Sequence, residues 1–207
     1  VVASRKSEIH RLLAEAYYRT GDFASSIIHF EELITDEKEK SSLIYFLLGN
    51  SYFKLGKYEN AISNLEYVSG DSDSVLQYSS YYLAASYLEL GHYHYALQAF
   101  KKSASYNYNK ELQEDAFYNY AKLSYQLELP FDNTLKTLTT YLETFAHPIH
   151  TEQIKALMAQ TLQATSQYSE AYRLLKDIDL PNLNQKKALQ QLSFFLGFSL
   201  YLLFDNS

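Results

Sequence analysis

The chain has 207 residues, with 18 Lys and Arg against 24 Asp and Glu for a formal charge of −6, 47% hydrophobic residues and no cysteine. Enough apolar surface is present to offset the entropy of folding, which excludes a disordered segment and predicts a globular, soluble chain, and the acidic balance argues against nucleic acid as a partner, which asks for a basic face. Disulfide frameworks, thiol nucleophiles and thiolate metal sites are excluded together.

The chain opens Val1-Val2-Ala3 without an initiating Met or a basic and apolar leader, which predicts a piece of a longer protein. In IHRLLAEAYYRTGD the residues Ile9, Leu13, Ala16 and Tyr17 fall at three- and four-residue steps, the period of a helix with one buried face. Gly21 ends that helix and Asp22 is suited to cap the next, Phe23 to Thr35, whose buried stripe is Phe23, Ile27, Phe30, Leu33 and Ile34. Asp36 to Lys40 reads as a solvated connector. A second unit repeats the arrangement with Tyr45, Leu48, Gly49, Tyr52, then Gly56, Tyr58, Ala61, Ile62 and Leu65. A third follows with Leu83, Ala84, Tyr87, then Gly91, Tyr93, Ala96, Leu97 and Phe100. Gly21, Gly56 and Gly91 are 35 residues apart, a period that predicts a solenoid of helical hairpins. Small residues recur at two positions, Ala14, Gly49, Ala84 and Ser26, Ala61, Ala96, where two helices must approach closely.

This pattern, Leu-Gly/Ala, then Tyr, then Gly-Asp/Lys/His-Tyr/Phe, then Ala and Phe/Leu, resembles the tetratricopeptide repeat, most closely over Tyr45, Leu48, Gly49, Tyr52, Gly56, Tyr58, Ala61 and Leu65. The resemblance implies an all-α, right-handed α-α superhelix (solenoid) of tetratricopeptide-like hairpins. A single array is expected over 1–207, with units at about 7–40, 41–75, 76–110, 111–150 and 151–182 and the first helix of a sixth at 184–204. The family's proline at the end of each second helix is replaced by Lys38, Asp73 and Tyr108.

Two units are less regular. Ala116 to Leu127 carries Tyr120, Ala121, Ser124 and Tyr125 but has lost its glycine, and Pro130-Phe131 starts the return helix with Leu135, Leu138 and Tyr141 on its buried stripe. Pro148 forces His147 toward an extended conformation and should stop that helix. The passage YLETFAHPIHTE resembles inter-repeat segments of bacterial envelope members of the family, which implies a bacterial periplasm or cell envelope rather than cytoplasm. Unit five, Gln153 to Ile178, buries Met158, Ala159, Leu162, Tyr168, Ala171, Leu174 and Leu175, and Pro181 marks the next turn. The last helix, Asn184 to Phe204, is apolar nearly all round in LSFFLGFSLYLLF, a run that is itself well below the ~20 residues a membrane span needs. It reads as the first helix of a sixth unit completed beyond Ser207, or as a homodimer contact through Phe194, Phe198 and Tyr201.

In this family the first helix of each hairpin lines an inner groove. Carried over by position, the partner-binding residues are Arg11, Tyr18, Phe46, Asn50, Phe53, Tyr78, Tyr81, Tyr82, Tyr118, Lys122 and Tyr125, with Leu43, Lys54, Glu15, Arg19 and Asp115 beside them. Tyrosine suits such a face, giving large contact area with a polar tip, while Tyr17, Tyr52 and Tyr87 occupy the position the family buries. The family's clamp for a chaperone's C-terminal carboxylate falls on Arg11, Glu15, Leu47, Tyr78 and Tyr82. Glu15 repels a carboxylate and two rings replace cations, so a chaperone tail is not expected.

Catalysis, cofactors and metals are not expected either. His92 with His94 and His147 with His150 offer too few ligands in one place, Asp71-Ser72-Asp73 lacks the later residues of a calcium loop, and no phosphate loop or nucleophile elbow occurs. The expected function is a protein-binding scaffold for a peptide or helix. An oligomerisation segment acting through the last helix, or a carbohydrate- or small-ligand-binding helical protein, are the alternatives.

Overall fold

A computed structural model describes residues 2–36, 38, 40–145, 149–164, 167–176 and 183–205. Among them are eleven helices and no strand: α1 (Val2–Thr20), α2 (Phe23–Leu33), α3 (Ser42–Lys54), α4 (Tyr58–Leu65), α5 (Asp73–Glu89), α6 (Tyr93–Ala104), α7 (Lys110–Gln126), α8 (Phe131–Thr144), α9 (Thr151–Ala164), α10 (Tyr168–Lys176) and α11 (Leu183–Asp205). Glu37 and Glu39, the predicted break at His147-Pro148, and Ile178 with Pro181 lie outside the described residues.

The chain divides into two compact units, residues 1–120 and 121–207, with α7 contributing to each. In the first, α1 packs on α2, α3 on α4 and α5 on α6, and each hairpin rests on the next through α2 on α3 and α4 on α5. Its core joins Ala14, Ile27, Phe30, Leu33, Ile44, Leu48, Tyr52, Ala61 and Leu65. In the second unit α9 packs on α8 and α10, and α10 on α11, around Ala159, Leu162, Ala171, Leu175 and Leu192.

The turns inside the hairpins share one hydrogen-bond scheme. Asp22, Lys57 and His92 each donate their N–H to the carbonyl five residues back, on Tyr17, Tyr52 and Tyr87, at 2.9, 3.0 and 2.8 Å. This is the Schellman closure, which requires a left-handed residue just before the donor, and Gly21, Gly56 and Gly91 supply it with φ of 81°, 70° and 72°. The fourth turn keeps the scheme without the glycine. Leu129 donates to Ser124 at 3.3 Å, and Glu128 holds the left-handed place at φ 51°.

Both sets of small residues are buried: Ala14, Ala84, Ser26, Ala61 and Ala96 are fully enclosed. Gly49 shows why, because a Cβ built on it would lie 2.6 Å from Leu65 Cγ and 3.2 Å from the Ala61 carbonyl oxygen. Where the expected prolines are missing, side chains hold the turns between hairpins. Ser42 Oγ donates to the Ser69 carbonyl at 2.6 Å and accepts from the Ser69 N–H at 3.1 Å. One period on, the buried Gln77 amide donates to the Tyr106 and Asn109 carbonyls, both at 3.0 Å, and accepts from the Asn109 N–H at 2.8 Å.

Neighbouring hairpins are also stapled by a repeated pair. The Tyr52 hydroxyl on α3 donates to Glu31 on α2, and the Tyr87 hydroxyl on α5 donates to the Glu66 carboxylate just past α4. Burial first, and the adjoining carboxylate second, push the Tyr52 hydroxyl up to about 12 and raise Tyr87 further.

The first helix corrects its predicted stripe. Ile9 and Leu13 are 56% and 37% exposed, Ala16 is exposed and Tyr17 half-buried, while Ala14 is the residue enclosed against α2. Packed chiefly on α2, α1 buries one narrow line rather than a broad face. Tyr93 is likewise exposed, since it begins α6 beyond the reach of the core, and α2 ends at Leu33, two residues before Thr35. Asp22 caps α2 as expected, accepting from the Ser25 N–H at 3.1 Å.

Gly49→Ala should lower stability by about 1–2 kcal/mol, an overpacking cost partly offset by alanine's better helix propensity; a urea midpoint unchanged or raised would contradict the close approach. Tyr52→Phe should cost about 1 kcal/mol at neutral pH through the lost bond to Glu31. Because the folded hydroxyl titrates above the unfolded value, the stabilisation is complete below about pH 10 and lost as pH rises through about 12. Urea midpoints of wild type and Tyr52→Phe should therefore converge over that alkaline window, and parallel pH profiles would refute the staple.

Candidate functional site

In the first unit, α1, α3, α5 and the start of α7 are linked side by side through polar and aromatic contacts along one face. Asn50 on α3 donates from Nδ2 to the Tyr18 hydroxyl on α1 at 3.1 Å, and the Tyr18 ring meets Phe23 edge-on at 5.7 Å. Tyr82 on α5 is the centre of the face. Phe53 lies 5.1 Å from it, Phe46 6.5 Å, and Tyr81 5.7 Å at right angles, while the Lys54 ammonium sits 5.4 Å from its ring centroid. Phe46, Phe53 and Tyr82 are half-buried and Lys54 is exposed, so the cluster is neither core nor free surface. Burial, with Tyr82 adding to it, pushes the Tyr18 hydroxyl up to about 12.

At the other end of the face Tyr81 donates to Asp115 Oδ2 at 2.5 Å, and Asn119 Nδ2 donates to the same oxygen at 3.1 Å. Burial and then Asp115 raise the hydroxyls of both Tyr81 and Tyr118. Tyr78 accepts from Asn109 Nδ2 at 2.8 Å, and Asn109 Oδ1 accepts the Leu112 N–H at 3.0 Å to cap α7. Tyr78 is thereby committed to a turn, and Tyr81, packed edge-on against the buried Phe100 at 5.7 Å, is part structural.

The predicted contact residues thus divide. Tyr18, Phe46, Phe53, Tyr81 and Tyr82 come together in the first unit with Lys54. Asn50 is 2% exposed and supports Tyr18 from beneath, with its Oδ1 lacking a hydrogen-bond partner among the described residues. Arg11 is exposed on α1, and Tyr118 is half-buried on α7. Glu15 pairs with Arg19 at 3.5 Å. Lys122 and Tyr125 belong to the second unit, where Lys122 is exposed and Tyr125 lines a pocket.

On α11 in the second unit, Phe194, Phe198 and Tyr201 are 69%, 52% and 62% exposed, and the rings of Phe194 and Phe198 stack at 6.4 Å. Phe195, unremarked in the sequence, is less exposed at 37% and is stacked 5.0 Å from Tyr168. Sequence reasoning also missed the Tyr–Glu staples, although Glu31 and Glu66 are themselves one 35-residue period apart and could have been found by lining up the units.

No group of three or more His, Asp or Glu side chains fit to hold a metal occurs among the described residues, and no described helix is long and apolar enough to cross a membrane.

Residues 11–74 match the family described as tetratricopeptide repeat. Among solved structures, MamA AMB-1 is 15% identical, covering 92% of this chain and 93% of its own, with a TM-score of 0.62. MamA MSR-1 is 16% identical over 90% of this chain and 96% of its own, at 0.57. The C-terminal part of a TPR repeat-containing protein from Cytophaga hutchinsonii is 16% identical at 0.54, covering 80% of this chain and 62% of its own. At such identities the likeness is one of fold. No curated protein matches in sequence. Repeat pattern, the family match over residues 11–74 and the fold of the solved structures agree on a helical array built of tetratricopeptide-like hairpins.

Proposed function

We propose that this chain acts as a tetratricopeptide repeat protein does, as a non-catalytic scaffold that binds an extended segment or helix of a partner protein on the face of α1, α3 and α5. The half-buried cluster of Phe46, Phe53 and Tyr82 with Lys54 above it carries the reading. Rings held in place by one another lose little freedom on binding, and a flanking ammonium gives orientation. An aromatic or apolar anchor suits this face better than an acidic tail, because Glu15 and Asp115 stand beside it.

Peptides selected from a random library on the wild-type chain should bind Tyr82→Ala at least about tenfold more weakly, a loss of about 1.4 kcal/mol, with helical content unchanged. Retention of affinity in Tyr82→Ala, or in Lys54→Ala combined with Phe53→Ala, would sink the proposal.

A second reading, self-association through α11, rests on the exposed ridge of Phe194, Phe198 and Tyr201. Sedimentation velocity across a wide concentration range should show reversible dimers that Phe194→Ser with Phe198→Ser disperses, and a monomer at every concentration would dispose of it.

A further inference from the structure

Glu128 alone among the described non-glycine residues has a positive φ, 51°, and it stands where the first three hairpin turns use glycine. A glutamate is poorly suited to that conformation, and among the described residues no hydrogen bond or ion pair of its side chain offsets the strain. Its side chain is exposed and borders an open pocket of about 390 Å³ lined also by Tyr125, Gln126, Thr134, Thr161 and Ala164, all in the second unit. Backbone strain of this kind, kept in place beside a pocket, points to function.

The polar character of the pocket is one-sided. Helix α7 ends at Gln126 and α9 at Ala164, so the negative ends of two helices converge on it beside the Glu128 carboxylate. The two threonine hydroxyls have already spent their protons. Thr134 Oγ1 lies 3.2 Å from the Leu129 carbonyl and 3.4 Å from that of Ser124, and Thr161 Oγ1 donates to the Leu157 carbonyl at 2.7 Å. No lysine or arginine lines the cavity. What remains is a carboxylate, hydroxyl lone pairs, two helix C-termini and the Tyr125 ring, with the Gln126 carboxamide and the Tyr125 hydroxyl able to donate or accept, so the charge of the lining is negative.

We propose that this pocket binds a guanidinium group, as carried by an arginine side chain. A guanidinium is planar, offers five donors to a set of acceptors, pairs with a carboxylate through two parallel bonds and stacks on an aromatic ring. A bare ammonium is a point charge without the planar fork that meets a carboxylate through two parallel bonds, and Leu129 gives the aliphatic stem an apolar border. The site lies apart from the residues of the first-unit face and is tested with small probes, so its fate and that of the scaffold reading are decided separately.

The test is a titration of the 15N-labelled full chain, followed by amide shifts, with acetyl-arginine methylamide, its neutral citrulline counterpart, acetyl-lysine methylamide and agmatine. The arginine probe should move the amides of residues 125–129 and 161–164, with citrulline and lysine at least about tenfold weaker. A stronger response to agmatine than to acetyl-arginine methylamide assigns the site to a free guanidine, and the reverse to a peptide side chain. Glu128→Gln should abolish the response. Glu128→Gly, which restores the residue of the other three turns, should melt at a higher temperature than wild type and also fail to respond. Equal responses to citrulline or lysine, absence of shifts at these amides, or a response surviving in Glu128→Gln would each overturn the assignment.

Discussion

Everything in the first unit depends on how closely the two helices of a hairpin can approach. At Gly49 the backbone of α3 comes near enough to Leu65 and Ala61 of α4 that one methyl group would have to displace something, and Ala14, Ala84, Ser26 and Ala96 keep the same clearance in the neighbouring hairpins. Interiors pack at crystal-like density, so a gap or an overlap of one carbon is felt. Close approach brings Leu48 and Tyr52 of α3 and Leu65 of α4 into one core with Phe30 and Leu33 of the preceding hairpin. The other flank of the first helices, carrying Phe46, Phe53 and Tyr82, is left half-covered. The candidate face and the core are thus two sides of the same three helices.

Polar bonds then fix what packing alone leaves free. Apolar contact is non-directional, whereas the Tyr52–Glu31 and Tyr87–Glu66 bonds tie each first helix to the preceding hairpin at one place along its length. Ser42 and Gln77 do the same for the connections between hairpins, where proline would have stiffened the chain. Gln77 is fully enclosed yet has donors and acceptors matched, which is why it can sit in a core without penalty. The surroundings of Glu128 differ in kind, since there a carboxylate lines the pocket with no lysine or arginine to answer it.

The repeat, the hairpin turns and the small-residue positions were legible in the residues because each is enforced locally. A Schellman turn needs its left-handed residue and a tight helix crossing needs its missing side chain, so Gly21, Gly56, Gly91 and Gly49 could be read directly. The stripe on α1 was not, because three- and four-residue spacing shows that a helix has an apolar side but not how much of it a neighbour covers. Leu12, read in neither stripe nor groove, is 64% exposed beside Ile9. For the candidate face the aromatic positions were legible, whereas the split between rings that support and rings that present was not. Tyr78 and Tyr81 are drawn into hydrogen bonds with Asn109 and Asp115, partners about thirty residues away that no local pattern announces.

The tyrosine staple has an implication for how such a chain grows. Donor and acceptor recur in step, Tyr52 with Tyr87 and Glu31 with Glu66, so a stretch of one period carries its own acceptor for the next copy and its own donor for the last. Duplicating or deleting 35 residues within the first unit leaves each of these two hydroxyls facing a carboxylate, so a change of length there need not strand either partner of the staple. One period further along, the residue types are Lys101 and Lys122, and this exchangeable grammar ends.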